Sequence, residues 1–207
     1  MTFVVIEGIE GSGKSTLMGG LGAALRGSGH TVVMTREPGG TAVGDAVRQI
    51  FLNEPIRIAP WAEVLLVTAA RAQHVCDVIK PALAGGRIVL CDRFTDSTLA
   101  YQGYGRDLEL ESVRSICATA AAGLEPNLTL LVDLPVSVAR SRMRERPGTA
   151  DRIEREDDAF HERVRRGFLA LAQDSKRHVI LDGTQNADRV LGDALDAVRR
   201  LLGEGVT

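Results

Sequence analysis

Residues 3–16 read FVVIEGIEGSGKST, and this stretch decides the fold of the chain. Residues 3–6 form a short apolar run rich in β-branched side chains, which is typical of a strand. Residues 8–15 match the pattern G-x-x-x-x-G-K-[ST] in full, and a helical pattern begins at Ser15 and extends to about Arg26. A strand, a glycine-rich loop and a helix in this order place an anion at the helix N-terminus. The stretch therefore predicts a phosphate-binding loop between the first strand and the first helix.

The residue types of this loop each suit a phosphate ligand. The glycines let the backbone turn tightly, so that successive N–H groups can point at phosphate oxygens. Lys14 is expected to reach the β- and γ-phosphates, and the Ser15 hydroxyl is expected to ligate Mg²⁺. The flanking strand and helix disfavour the alternative, a glycine-rich turn with an incidental lysine. We expect the nucleotide to bind to Gly8, Ile9, Glu10, Gly11, Ser12, Gly13, Lys14, Ser15 and Thr16.

The length and composition of the chain are those of one soluble domain. It has 207 residues, of which 44% are hydrophobic and 25% are charged, and its formal net charge is −2. That balance argues against a protein that coats nucleic acid or a membrane surface. No apolar run approaches the ~20 residues that span a bilayer. We therefore expect no nucleic-acid partner and no membrane.

The N-terminus and the cysteines indicate a cytoplasmic protein. The chain enters its first predicted strand without a signal peptide. Cys76, Cys91 and Cys117 are odd in number, widely spaced and set in apolar stretches. This pattern favours buried, reduced thiols over disulfides or a metal site.

Short β-rich runs alternate with longer helical patterns along the chain. The predicted strands are 3–7, 31–35, 87–91, 128–132 and 178–181. The predicted helices are 14–27, 41–52, 60–84, 109–122, 135–145, 156–174 and 186–202. This alternation predicts an α/β fold, a three-layer sandwich in which a five-stranded parallel sheet carries helices on both faces. Ligands of such sheets bind at the edge formed by the carboxyl ends of the strands.

We expect a single domain over residues 1–207, with a mobile flap at about 144–158. The flap is highly charged and contains Pro147-Gly148, which is typical of a connection between helices. The arginines in and beside it are Arg140, Arg142, Arg144, Arg146, Arg152 and Arg155. They form either a solvated, self-paired charge run or a set of guanidiniums that close over triphosphate oxygens. The absence of an arginine from the glycine loop favours the second hypothesis, because charge on a transferring phosphoryl group must then be stabilised by a group from elsewhere.

Polar residues follow the predicted strands at the edge where ligands are expected. Asp92 ends the run 87–91, where a carboxylate suits Mg²⁺ or its water shell, although a capping or ion-paired aspartate is the alternative. Arg93 follows at once, and its planar guanidinium suits a phosphate monoester. Arg36 lies in the loop 35–40 and either forms a phosphate clamp with Arg93 or belongs to a simple turn.

Arg71 is a further candidate on the predicted helix 60–84. Small neighbours in Thr68-Ala69-Ala70 would let a substrate approach the helix closely. The alternative is a solvated helical arginine.

In these motifs and their order, the chain resembles the thymidylate kinase family, whose members phosphorylate dTMP to dTDP with ATP. Besides the loop at 8–16, the resemblance rests on the segments 35–41, 71–74, 92–94, 96–103 and 151–154. It extends over essentially the whole chain, and these segments together are far more specific than the loop alone. The resemblance implies the nucleoside monophosphate kinase form of the fold, ATP as phosphoryl donor, Mg²⁺, and a two-fold homodimer.

The resemblance also implies roles for single residues. The catalytic residues would be Lys14, Arg93, Asp92, Glu10, Arg146 and Arg152. The acceptor nucleotide would contact Arg36, Val67, Arg71, Arg93, Ser97, Thr98, Tyr101 and Gln102, and the metal ligands would be Ser15 and Asp92. Arg36 and Arg93 would hold the acceptor phosphate, and Arg71 would reach the polar edge of thymine. The pattern is similar to the bacterial subtype, in which the flap supplies the catalytic arginine.

One position departs from the family pattern. Family members usually carry a phenylalanine stacked on thymine four residues before the helical arginine, where this chain has Val67. Loss of that stack removes roughly 1–3 kcal/mol, by analogy with aromatic platforms for nucleic-acid bases. A kinase for another or modified deoxynucleoside monophosphate is therefore one alternative. A nucleotide-dependent regulatory switch or ATPase is another, although the sequence has no guanine-reading Asn-Lys-x-Asp segment.

Overall fold

The computed structural model describes residues 1–52, 56–147 and 150–204. Within them, five parallel strands form one sheet in the order β2-β3-β1-β4-β5. The strands are β1 (Thr2–Glu7), β2 (Val32–Arg36), β3 (Ile88–Asp92), β4 (Leu128–Asp133) and β5 (His178–Asp182). Every strand begins and ends within one residue of the prediction. The predicted parallel α/β fold is confirmed.

Helices connect the strands in the described part of the chain. They are α1 (Lys14–Gly27), α2 (Ala42–Leu52), α3 (Pro60–His74), α4 (Lys80–Ala84), α5 (Thr95–Thr98), α6 (Leu110–Ala120), α7 (Val136–Glu145), α8 (Asp158–Gln173) and α9 (Ala187–Leu202). The predicted helix 60–84 is interrupted by a π-helical turn at Val75–Ile79. The helix α5 and the π-helical segment that continues it, Leu99–Gly105, were not predicted. Their glycines, serine and threonines have low helix propensity, so tertiary contacts must hold this segment.

The strands are buried on both faces, which accounts for their continuous apolar runs. Val4 and Ile6 of β1 pack in a core cluster with side chains of α1 and α9. Phe3 and Val5 pack on the opposite face, in a cluster with side chains of the π-helical turn and α4. Because successive side chains of a strand alternate between faces, one apolar run supplies two cores.

Cys91 and Cys117 are buried, as predicted, but Cys76 is exposed. The prediction of a buried thiol is wrong for Cys76 because Val75 and Ile79 take the inward positions of that π-helical turn. Among the described residues, no helix has the length and apolar character needed to cross a membrane. The single domain and the mobile flap stay predictions, and Gly148 and Thr149 of the flap lie outside the described residues.

Candidate active site

The glycine loop adopts a backbone that only glycine accommodates readily. Gly8, Gly11 and Gly13 have φ values of 142°, 75° and 98°, which residues with a Cβ rarely adopt. A Cβ on Gly8 would lie 2.5 Å from the carbonyl oxygen of Val132, and one on Gly11 would lie 2.5 Å from that of Ala139. The loop therefore packs closely against β4 and α7 and ends at the N-terminus of α1, where the helix dipole favours an anion.

Lys14 folds back over this loop. Its ammonium donates hydrogen bonds to the carbonyl oxygens of Gly8, at 2.9 Å, and Ile9, at 2.8 Å. Burial of the ammonium and the positive charge of Arg93 lower the pKa of Lys14 to about 8. A phosphate group at the loop would offer this cation a charged partner in place of two neutral ones.

Asp92 and Ser15 are suited to hold a divalent cation. The Oδ1 atom of Asp92 is buried and has no hydrogen-bond partner among the described residues, and both residues line the same cavity. Mg²⁺ binds to one or two protein oxygens and completes its coordination with water and phosphate oxygens. A carboxylate oxygen without a partner and an exposed hydroxyl in one cavity fit this donor set.

Arg93 connects several groups of the cavity. Its Nη1 donates to the Gly8 carbonyl and to the Ser97 hydroxyl, both at 3.1 Å. Its Nη2 donates to Glu10 Oε1 at 2.6 Å and to the Tyr101 hydroxyl at 3.2 Å. The φ of Arg93 is 72°, a left-handed conformation that costs a non-glycine residue roughly 1–3 kcal/mol. Strain of this kind, held by surrounding contacts, is common at functional sites.

Glu10 and Tyr101 are held in defined charge states beside Arg93. The Tyr101 hydroxyl donates to Glu10 Oε2 at 2.6 Å. Burial acts to raise the pKa of Glu10, but the charges of Arg93 and Lys14 outweigh it and hold that pKa below its usual value. Burial also raises the pKa of Tyr101 well above its usual value. The pair therefore presents a charged acceptor and a neutral donor.

Glu7, the last residue of β1, supports the site from behind the cavity wall and was not among the predicted residues. Its carboxylate accepts hydrogen bonds from the backbone N–H groups of Phe94, at 2.8 Å, and Ser97, at 3.2 Å, and from the Ser97 hydroxyl at 2.6 Å. Burial and the nearby charge of Asp96 raise the pKa of Glu7 to about 7. Glu7 thus fixes the turn that carries Arg93. An acidic residue that ends an apolar strand was the available signal.

Arg71 is buried in the cavity wall, so the alternative of a solvated helical arginine is wrong. Its Nε donates to Glu37 Oε2 at 2.7 Å. Its Nη2 donates to the Phe94 carbonyl at 2.9 Å and to the Thr98 hydroxyl at 3.0 Å. The other oxygen of Glu37 contacts His74 Nδ1 at 2.9 Å. The guanidinium of Arg71 is therefore held in one orientation.

The predicted residues of the acceptor pocket mostly share this cavity. Val67, Arg71, Arg93, Ser97, Thr98, Tyr101 and Gln102 all line it. Phe51 and Val67 lie in one cluster of buried apolar side chains, and Phe51, which was not predicted, also lines the cavity. This part of the wall therefore combines apolar surface with the hydrogen-bonding groups of Arg71, Thr98 and Gln102.

The two flap arginines with predicted catalytic roles, Arg146 and Arg152, lie in different surroundings. Arg146 lines the cavity, with its side chain 58% exposed and 2.5 Å from Glu154 Oε1. Arg152 does not line this cavity. Its Nη1 donates to Glu63 Oε1 at 2.5 Å, and its guanidinium lies 4.9 Å from the ring centre of Phe51. Arg146, but not Arg152, therefore lines the same cavity as the glycine loop.

Arg36 also stays outside the cavity wall. Its side chain is 59% exposed and lies 4.0 Å from Asp45. Arg48 of α2, which was not predicted, lines the cavity and donates to the Pro38 carbonyl at 3.1 Å. Burial, together with the positive charges of Arg36 and Arg93, lowers the pKa of Arg48. Its position three residues before Phe51, on the same helix face, was the only sequence signal.

These groups share a cavity of about 520 Å³, which is within the range of small-molecule sites. Of the predicted loop, Glu10, Gly11, Gly13, Lys14, Ser15 and Thr16 line it. Gly8 and Ile9 contribute the carbonyl oxygens that contact Lys14, and Ser12 is buried. Phosphate-binding groups and a partly apolar pocket therefore face a common space.

Comparisons with known proteins agree with this geometry. The family model described as "Thymidylate kinase" matches residues 6–193. The chain is 49% identical over 203 residues to the thymidylate kinase of Pelotomaculum thermopropionicum, covering 97% of this chain and 94% of the relative. It is 47% identical over 197 residues to that of Deinococcus radiodurans, covering 95% of each. The crystal structure of the thymidylate kinase from Ehrlichia chaffeensis matches with a TM-score of 0.78 and 28% identity, over 95% of this chain and 98% of that one. The chain belongs to the thymidylate kinase family.

Proposed function

We propose that this protein transfers the γ-phosphoryl group of ATP to the phosphate of dTMP, giving ADP and dTDP. One observation carries the proposal: a single cavity is lined by most of the phosphate-binding loop, by Arg93 and by the side chains of a partly apolar pocket. The loop suits a triphosphate, Arg93 suits a phosphate monoester, and the pocket suits a planar base. Family membership supports the same reaction.

Charge neutralisation and alignment are the main tasks of the site. A monoester dianion is already a nucleophile, so its oxygen can attack the γ-phosphorus without a general base or a covalent enzyme intermediate. We assign Lys14 and Arg146 to the donor phosphates and Arg93 to the acceptor phosphate. Glu10 and Tyr101 hold the Arg93 guanidinium in place. Bringing two anions into line is then the principal contribution of the protein.

Mg²⁺ bound to the donor phosphates would neutralise charge that develops on their oxygens. Asp92 and Ser15 are the residues proposed to hold it, because no group in the described part of the chain hydrogen-bonds to Asp92 Oδ1 and both residues line the cavity.

Two arginines that the family resemblance assigns to phosphate contacts, Arg152 and Arg36, do not line the cavity. Arg152 is bound to Glu63 and Arg36 is exposed, so each would have to turn toward the cavity to contact a phosphate. Arg48 already lines the cavity and is a second candidate for the acceptor phosphate.

A substrate panel tests the proposed function. The purified protein is incubated with ATP, Mg²⁺ and one nucleoside monophosphate at a time, from dTMP, dUMP, dCMP, dAMP and dGMP. We expect dTMP to give the highest kcat/KM and dTDP to form in equal amount with ADP. Another nucleotide in first place would favour the alternative acceptor, and ATP turnover that ignores every acceptor would favour a regulatory ATPase.

We also propose that the protein is a cytoplasmic homodimer. The N-terminal half of α3 exposes two large apolar side chains one turn apart, with Trp61 41% and Leu65 58% exposed. Apolar side chains grouped on one helix face often mark an interface between subunits. Cytoplasmic location rests on the reduced cysteines and on the family.

A further inference from the structure

Glu63 is a buried carboxylate in the first turn of α3, with its side chain only 1% exposed. Within the described ranges, three residues from other parts of the chain donate hydrogen bonds to it. Gln102 Nε2 donates to Oε2 at 2.9 Å, Arg106 Nη2 to Oε1 at 3.1 Å, and Arg152 Nη1 to Oε1 at 2.5 Å. A buried charge is costly unless it is paired and hydrogen-bonded. These partners explain how the fold tolerates the charge of Glu63. One of them, Gln102, also lines the cavity.

The contact between Glu63 and Gln102 fixes the orientation of an amide. Glu63 lies between two guanidinium groups, and a carboxylate can only accept hydrogen bonds. The amide nitrogen of Gln102 must therefore face Glu63, and its carbonyl oxygen must face away from Glu63. An amide without such a neighbour can present either end to a ligand.

The oriented amide belongs to the wall of the cavity. Gln102 lines it together with Val67, Arg71 and Thr98, in the part that the proposed function assigns to the acceptor base. A carbonyl oxygen in this wall accepts a hydrogen bond from an N–H group of the base. Thymine and uracil carry an N–H at ring position 3, whereas cytosine carries a lone pair there. A site that leaves its polar group unpaired with the wrong base rejects that base strongly.

We propose that Glu63 is a positioning residue that selects an imide-bearing acceptor base through the amide of Gln102. The inference rests on the proposed function and adds to it the residue that sets the hydrogen-bonding pattern of the base pocket. Glu63 is not itself part of the cavity wall, so its effect passes through Gln102. Arg106 and Arg152 hold the carboxylate in position. Because Arg152 belongs to the flap, the flap also contacts Glu63.

The test compares Glu63→Gln with the matched control Glu156→Gln. Glu156 lies 2.6 Å from Arg106, so both substitutions remove a carboxylate from that guanidinium, but only Glu63 accepts from the Gln102 amide. The readout is kcat/KM for dTMP divided by kcat/KM for dCMP. In Glu63→Gln the new amide can donate or accept, so the amide of Gln102 is free to turn. We expect this ratio to fall by about tenfold or more, mainly through KM for dTMP, and to stay within about twofold in the control.

A double-mutant cycle separates positioning from a general loss of structure. In a Gln102→Ala background, Glu63→Gln should change the ratio by less than about twofold, because the amide through which it acts is gone. An unchanged ratio in the single variant, or an equal loss in both backgrounds, overturns the proposal.

A second variant covers the case in which Glu63→Gln does not fold, which thermal unfolding monitors. Glu63→Asp keeps the charge but withdraws the carboxylate from Gln102 by one methylene group, and the same loss of discrimination is expected. An unchanged ratio in that folded variant also overturns the proposal.

The activity of the wild-type protein separates failure of the proposed function from failure of this inference. If it does not phosphorylate dTMP, the proposed function and this inference both fail; if it prefers dTMP and the Glu63 variants keep that preference, only this inference fails.

Discussion

At the scale of single residues, Lys14 and Arg93 each donate hydrogen bonds to neutral oxygens that a phosphate can replace. Lys14 donates to two carbonyl oxygens, and Arg93 donates to Glu10, to hydroxyl groups and to a carbonyl. Hydrogen bonds between two ionised groups are shorter and stronger than those to neutral oxygens. An anionic substrate therefore offers these cations stronger acceptors than the neutral oxygens, while Glu10 keeps Arg93 in position.

Arg93→Met should reduce kcat/KM for dTMP by about 100-fold or more, because it removes the guanidinium assigned to the acceptor phosphate. The KM for ATP should change much less, since Lys14 and the loop backbone remain. Steady-state kinetics in both substrates measure this. The exposed Arg166 of α8 supplies the control, Arg166→Met. A loss of less than about twofold in the Arg93 variant would exclude the assigned role.

The kcat/KM for ATP should fall as the pH rises past about 8. Burial lowers the pKa of Lys14 to about 8, so above that pH the free enzyme loses the ammonium that faces the donor phosphates. Because kcat/KM reports the ionisation of free enzyme, its pH profile is the appropriate measurement. A profile that stays level to about pH 10 would contradict the assignment.

Glu7 should make the folded protein less stable as the pH rises. Its pKa is about 7 in the folded state, against an ordinary value of 4.5, so the folded state binds the extra proton between these values. The stabilisation is complete below pH 4.5 and is lost as the pH rises through 7, a change of about 3 kcal/mol. Urea unfolding at several pH values measures it. Glu7→Gln should flatten this part of the curve, and an identical curve for the variant would refute the interpretation.

At the scale of elements, the sequence predicts what depends on local pattern and misses what depends on distant partners. Strand bounds follow from apolar runs covered on both faces, and the glycine loop follows from a residue pattern that puts glycine where the turn needs a positive φ. The π-helical segment Leu99–Gly105 has no apolar period of its own, so its shape depends on packing. Arg152 can be placed on the flap from the sequence, but its partner Glu63 lies 89 residues away. Side-chain direction of this kind is set by the assembled fold.

The flap should loosen when its contact with α2 and α3 is removed. Arg152 Nε donates to the Phe51 carbonyl at 3.0 Å, and Nη1 donates to Glu63. In Arg152→Met, backbone hydrogen exchange over residues 150–156 should be faster than in wild type, because this anchor is lost. The control is Arg144→Met, at an exposed position of α7. Equal exchange in both variants would show that Arg152 does not anchor the flap.

At the scale of the whole molecule, the strand C-termini bring residues far apart in sequence to one cavity, which leaves other surfaces for assembly. Trp61 and Leu65 are exposed on α3, and Ile180 is exposed on the edge strand β5.

Light scattering should give the mass of a dimer for wild type and of a monomer for Leu65→Glu, since a buried charge without a partner is costly. Ile180→Glu should remain a dimer, because β5 is the sheet edge opposite β2, and it is Thr35 of β2 that contacts His74 of α3. A monomeric wild type, or a dimer that survives Leu65→Glu, would refute the α3 interface.

Direct passage of a phosphoryl group between two nucleotides in one cavity is the central claim, and stereochemistry at phosphorus tests it most directly. ATP carrying a chiral thio- and isotope-labelled γ-phosphoryl group is used with dTMP, and the configuration of the labelled dTDP product is determined. A single in-line displacement predicts inversion at phosphorus. Retention would mean that the group passes through an intermediate on the protein, and it would contradict the account.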